Sequence, residues 1–358
     1  MPTSHFRSIA VLTLFAGAVL SFGTDSFLKS LPALPTLNVS TVPSNGDINP
    51  YGVAYVPSGF PHGGAISSGD ILVSNFNASS NLQGTGTTIV AISQTGVQKL
   101  FFQGKGLGLT TAIAVLKGGY VLVGSVPTTD GTTSTINQGS LIVLDRFGNE
   151  LESISNTAVL DGPWDMTVED EGATAHAFIS NVLSGTVTRL DISESPSFWI
   201  TNAIQIGSDY THQPNAAALV VGPTGLAYDN IRDILYVAST GDNAIYAISS
   251  AGRRLSDYGK GRLVYADNSH LRGPLALVLA PNGNLIAANG DAINADSNFP
   301  SEMVEFTTTG KFVDQLSVDS SGEGGAFGLA LTRIGNDWQF AAVDDITNTL
   351  KVWNVPIH

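Results

Sequence analysis

The chain has 358 residues, a formal net charge of −14, 43% hydrophobic and only 13% charged residues, and no cysteine. That acidity excludes a nucleic-acid surface, which needs Lys and Arg against phosphates, and it argues equally against anionic membrane surfaces. Without thiols there are no disulfides, so stability has to come from packing.

At the N-terminus, His5 and Arg7 precede an apolar run over residues 9–20 that ends in small residues. This is the pattern of an export signal over residues 1–23, cut after Ala18 or Gly23. A spanning helix needs about 20 apolar residues, so an export signal is favoured over the alternative, an uncleaved anchor. The expected location is periplasmic or secreted. Residues 24–35 read as a lead-in, and 36–358 as one domain.

From Asn49 onward a unit recurs about six times. Its openings are Asn49-Pro-Tyr-Gly-Val-Ala-Tyr, Leu109-Thr-Thr-Ala-Ile-Ala-Val, Gly162-Pro-Trp-Asp-Met-Thr-Val, Gly222-Pro-Thr-Gly-Leu-Ala-Tyr, Gly273-Pro-Leu-Ala-Leu-Val-Leu and Gly325-Ala-Phe-Gly-Leu-Ala-Leu. Each leads into two further apolar runs, and several turn through a glycine (Gly96, Gly148, Gly252, Gly310) into a fourth. Four antiparallel strands at a period of roughly 50–60 residues predict the blades of an all-β, six-bladed β-propeller. The last unit stops at its third strand, and residues 36–42 supply an N-terminal strand to complete it. Closing the ring this way removes an exposed sheet edge. Two separate β-sandwiches are the competing arrangement.

In a propeller the first strand of each blade lines the channel, and the loop between second and third strands lies on the face where first strands begin. That face collects Asn49, Asp161, Trp164, Asp165, Arg272 and Phe327 from the openings. It also gathers three long loops (75–87, 124–139 and 289–301) and the blade links carrying His212 and His270. Insertions gathered on one face of a repeat array mark a binding face. Asn75, Asn181, Asn289 and, in the last blade, Asp344 end the second strands. Such a ring can hold a ligand or tie neighbouring loops together. Trp164, Phe327 and Tyr51 form an aromatic floor or a channel plug.

Gly222-Pro-x-Gly-Leu-Ala, followed by Tyr236-Val-Ala-Ser-Thr-Gly-Asp-Asn-Ala-Ile-Tyr-Ala-Ile, resembles the NHL repeat, and the resemblance runs from about residue 36 to the end. It implies a six-bladed propeller with the gluconolactonase-type and strictosidine-synthase-like proteins as wider relatives. The gluconolactonase type holds a divalent metal in the channel mouth with Glu, Asn and Asp. Here Asn49 stands at the place of the opening Glu.

Recognisable catalytic motifs are absent: no Gly-x-Ser-x-Gly, no His-Glu-x-x-His and no Walker loop occur. Oxygen donors do cluster, at Asp161 and Asp165 around the third opening, and at Asp291, Asn294, Asp296 and Asn298 within one loop. With no thiolates and few imidazoles, Ca²⁺ is the cation such sites would take. Arg272 is expected to pair with one of the opening aspartates, and His212 and His270 to reach the mouth. The favoured function is a monomeric, non-catalytic binding or scaffold propeller that takes a small ligand or protein partner on this face. A metal-dependent lactonase-like hydrolase is the alternative.

Overall fold

The computed structural model describes residues 25–357 apart from 106, 109, 110, 157 and 291–295. The export segment 1–23 and Asp291 therefore lie outside the described residues. Among those described, six four-stranded antiparallel sheets succeed one another along the chain and form a six-bladed propeller. Blade one comprises Ile48–Tyr55, Ile71–Asn77, Thr88–Ile92 and Gln98–Gln103. Blade four comprises Pro223–Asp229, Ile234–Ser239, Ala244–Ser249 and Arg262–Tyr265. The last blade is Ala326–Ile334, Asp337–Asp344 and Thr349–Pro356, and its outer strand is Leu37–Ser40. That strand pairs antiparallel with Thr349–Pro356, Leu37 opposite Val352 and Ser40 opposite Thr349. Closure by the N-terminus is thus as expected, with the strand trimmed by a residue or two at each end.

Second and third strands read as near-continuous apolar runs because both of their faces are covered. Ile71 and Val73 face the last blade, where they meet Ala341, Val343, Leu350 and Val352. Leu72, between them, faces blade two with Val121, Val123 and Ile142. The core is therefore a set of wedges between blades. Burying each Val, Leu or Ile side chain there contributes about 1.5–3 kcal/mol.

The opening motif has a steric cause. A Cβ at Gly52 would fall 2.4 Å from the Thr111 carbonyl oxygen, at Gly225 2.6 Å from that of Leu275, and at Gly328 1.9 Å from that of Tyr51. Neighbouring first strands thus touch at this position, and the ring closes only where side chains are absent or small. Blades one, four, five and six each show a register shift here, between Pro50/Val53, Pro223/Leu226, Pro274/Leu277 and Ala326/Leu329. At the motif's first residue, Gly162 and Gly273 have φ of 72° and 66°. Asn49 adopts the same left-handed conformation, φ 62°, which asparagine tolerates better than other non-glycine residues. Asn49 thus shares the backbone of two of the four glycines at this position; Gly222 and Gly325 do not adopt it.

Two features lay beyond the sequence reading. A short hairpin, Gln213–Asn215 with Leu219–Val221, is inserted in the link before blade four. The lead-in is also ordered: a 3-10 turn at Leu28–Ser30 seats Phe27 edge-on against Phe340, at 5.8 Å between ring centroids.

Candidate functional site

The third residues of four openings, Tyr51, Trp164, Leu275 and Phe327, meet at the mouth, and three of these are aromatic. Tyr51 stacks on Phe327 at 4.9 Å and on Phe76 at 5.7 Å. Trp164 meets Tyr51 edge-on at 5.8 Å. The Trp164 indole Nε1–H donates to the Tyr51 hydroxyl at 2.9 Å. Val126, Val182, Leu219, Val220 and Leu275 complete the cluster, leaving Trp164 3% and Tyr51 7% exposed. The inserted hairpin closes over it, fastened where Gln83 Nε2 donates to the Ala217 carbonyl at 3.0 Å. What remains is a void of about 70 Å³ bordered by Asn49, Gln83, Trp164 and Thr240. Burial pushes the Tyr51 hydroxyl well above its ordinary pKa, so it is a neutral hydrogen-bonding group.

The ring of second-strand ends serves the links. Asn75 Nδ2 donates to the Thr41 carbonyl at 2.9 Å. Asn181 Oδ1 accepts from the Asp161 amide at 3.1 Å, and its Nδ2 donates to the Val159 carbonyl at 3.2 Å. Asn289 Oδ1 accepts from the Arg272 amide at 2.9 Å, and its Nδ2 donates to the His270 carbonyl at 2.7 Å. An amide can accept and donate at once, so one side chain holds both sides of an incoming link. Asp344 does the equivalent as a charge. It accepts from the Ile346 amide at 3.0 Å and pairs with Lys351 Nζ at 2.9 Å, and Nζ donates on to the Val318 carbonyl at 2.9 Å. Of the two roles open to the ring, these bonds serve the second, tying loops. Asn49 uses its amide N–H on Asn348 Oδ1 at 2.7 Å, while its own Oδ1 is buried beside the small void.

The remaining candidates disperse. Asp161 and Asp165 do not share a site. Asp161 stands at the top face, where partial burial raises its carboxyl against the opposing effect of His212. Asp165 lies below Trp164, where its Oδ2 accepts from the Leu226 amide at 2.8 Å. Arg272 pairs with Asp296, not with an opening aspartate, at 3.1 Å. His270 is turned outward, its ring stacked on Phe312 at 3.8 Å and its Nδ1 on Asp267 Oδ2 at 2.8 Å. Asp267 is held down to about 2 by that bond and by the amides of Ser269 and His270, against its burial. No three His, Asp or Glu side chains come together as a metal set among the described residues.

His212 does reach a cleft. It lines a top-face space of about 390 Å³ with Thr133, Ile136, Leu183, Pro214 and Val220. Its Nδ1 lies 2.9 Å from the Tyr210 carbonyl, which can only accept. The hydrogen is therefore on Nδ1, and in the neutral ring Nε2 is left as an acceptor.

Sequence reasoning passed over Asp345 and Glu194, both pushed up to about 7 chiefly by burial; Asp344 adds to the effect at Asp345 and Asp170 at Glu194. It also passed over Lys351, whose signal was available: a lone charge inside Leu350-Lys-Val-Trp353. Below the plug, the channel widens into a cavity of about 360 Å³ lined by the later residues of first strands, from Ala54 and Tyr55 to Thr332. Asp165 sits at its inner end.

Compared with known proteins, no family model matches the chain, and no curated protein matches it. Solved structures do. A gluconolactonase from Xanthomonas campestris is 13% identical with a TM-score of 0.56, over 87% of each chain. A luciferin-regenerating enzyme is 11% identical with a TM-score of 0.51, over 90% of this chain and 95% of that one. A chain of a nidogen/laminin complex is 12% identical with a TM-score of 0.52, over 79% of this chain and 84% of that one. At such identities these similarities establish the six-bladed fold and nothing further. They span both enzymes and a protein of a binding complex.

Proposed function

We propose that this chain is an exported propeller of the NHL type that binds a ligand or partner on its top face without catalysis. One observation carries the reading: the mouth is filled by Tyr51, Phe76, Trp164 and Phe327, joined by the Trp164–Tyr51 hydrogen bond. A metal-centred hydrolase would need that space open and lined with oxygen ligands. Here Asn75, Asn181, Asn289 and Asp344 are engaged with the links instead.

The surface left for recognition is the cleft between the 128–137 loop and the inserted hairpin. Ile136, Leu183, Pro214 and Val220 offer an apolar wall, and His212 Nε2 one hydrogen-bond acceptor. The fitting ligand has an apolar group beside a donor, which is the usual division of labour in a small-molecule site. Melting temperatures measured against a panel of small aromatic and aliphatic alcohols and amides test this. Compounds that raise the melting point of the native chain are expected to lose their effect on Leu183→Arg, which blocks the cleft with a charge. Stabilisers acting equally on both proteins, or a panel with none, contradict it.

A further inference from the structure

Blade two ends in the outer strand Glu150–Ile154 and blade three in the outer strand Trp199–Gly207. Residues directly opposite one another on paired strands share a face. Glu152 and Ile154 lie opposite Val143 and Leu141, while Ile200 and Ala203 lie opposite Ile192 and Leu190. Those four inner partners belong to the wedge core between blades two and three. The outer side chains therefore frame the outer end of that wedge. There they line a cleft of about 240 Å³ together with Asn156, Val159 and Trp199.

Three other wedges are sealed at this end by buried side chains. Phe101 and Phe102 do so between blades one and two, Val264 and Tyr265 between four and five, and Phe27 and Leu28 of the lead-in between five and six. Here the end stays open. Ile154, Val159, Ile200 and Ala203 are only partly buried, and Trp199 is 68% exposed, against 3% for Trp164 and 5% for Trp353. Open apolar surface rimmed by polar groups marks a recognition site. The polar groups at this lip are a carboxylate and an amide. Glu152 offers acceptors. Asn156 Oδ1 accepts from the Ala158 amide at 3.1 Å, which leaves its Nδ2 as the donor. No Lys, Arg or His lines the cleft.

We propose that this rim cleft binds a neutral pyranose sugar, with its C–H face against Trp199 and two adjacent hydroxyls on Glu152 and Asn156. A vicinal diol meets both polar groups at once. One hydroxyl donates to the carboxylate, and its neighbour accepts from the amide N–H. A hydrocarbon would satisfy neither, and an ammonium would have nothing to accept the amide hydrogen. The volume lies below the roughly 300–1,000 Å³ of drug-sized sites, which suits a single ring. Glu152, with no cation lining the cleft, and the net charge of −14 disfavour acidic sugars. The cleft is on the rim rather than the top face, so this inference and the proposed function can each fail alone.

Titration of the full chain with the methyl pyranosides of glucose, galactose and mannose tests the proposal. The readout is the NMR signal of the Trp199 indole N–H, identified by its loss in Trp199→Phe. At least one of these neutral glycosides is expected to shift that signal saturably at millimolar concentration. The corresponding methyl uronate should bind about threefold weaker through repulsion by Glu152, and Glu152→Gln should erase that difference. Trp199→Ala, read by saturation transfer to the sugar, should weaken binding about tenfold. Both positions are exposed, so the variants keep the fold. No glycoside that shifts the signal, a uronate that binds as tightly as its parent sugar, or full affinity in Trp199→Ala overturns it.

Discussion

The Trp164 indole donates to the Tyr51 hydroxyl at 2.9 Å, joining blade one to blade three across the channel mouth. The two residues hold the same place in their repeats, and their contact turns a ring of openings into a closed floor. Tyr51→Phe should lower unfolding free energy by about 1–3 kcal/mol, the cost of leaving the buried indole N–H unpaired. Trp164→Ala should cost about 3–5 kcal/mol through the cavity it leaves. Urea unfolding checks both.

The lead-in is fastened by two carboxylates, Asp314, which accepts from the Ser26 hydroxyl at 2.8 Å, and Glu305. Glu305 accepts from the Phe27 amide through Oε1 and from the Leu28 amide through Oε2, each at 3.0 Å. Removing residues 1–30 should therefore lower the melting temperature even though the closing strand is retained. Removing residues 1–45 should destabilise far more, because the last blade then loses its outer strand as well. Equal melting points for the two truncations would contradict this.

The buried pair of Asp344 and Lys351 gives a further test. Lys351→Met leaves Asp344, which has no exposed surface, without its cation and should cost about 3–5 kcal/mol. Adding Asp344→Asn should restore part of that loss. A double variant no better than the single one would show that the charge is not the cause.

Stability should fall as pH rises from about 5 to 8. Asp165, Glu194 and Asp345 are each pushed up to about 7 chiefly by burial. Their unfolded values lie near 4, so the folded state holds these protons more firmly and loses that advantage between about 4 and 7. For Asp165 the effect is about 2–4 kcal/mol once solvent in the channel is allowed for. Below pH 4 the sign reverses, because Asp267 and Asp319 are held at about 2 and their contribution is lost as they protonate. Melting curves at pH 5 and 8 check the slope, and Asp165→Asn should flatten it.

The architecture was legible because its signal repeats. The opening, whose fourth residue is Gly or Ala in five of the six units, recurs for a steric reason, and the unfinished last blade pointed to its missing strand at residues 36–42. Side-chain roles were less so. Asn181 and Asn289 looked the same whether they faced a ligand or a link, since an amide suits both. The fates of Asp161 and Asp165 were hidden because Asp161 lies in the link and Asp165 inside the strand Pro163–Asp170, so four positions in sequence separate a top-face side chain from a channel one. His270 was misplaced because its stacking partner, Phe312, is distant in sequence. The hairpin over the mouth carries no repeat signal at all.

Export can be tested on its own. A reporter fused to residues 1–30 should leave the cytosol, and the mature chain should begin between residues 19 and 35. A reporter retained in the cytosol would remove the exported location.

The closed mouth is tested most directly by turnover. Hydrolysis of glucono-1,5-lactone should be measured with the native chain in millimolar Ca²⁺, Mn²⁺ or Zn²⁺ and again in chelator. The account predicts rates equal to buffer in every case, because Tyr51, Phe76, Trp164 and Phe327 occupy the place a substrate would take. Metal-dependent turnover that chelator removes and Asp161→Ala abolishes would contradict it.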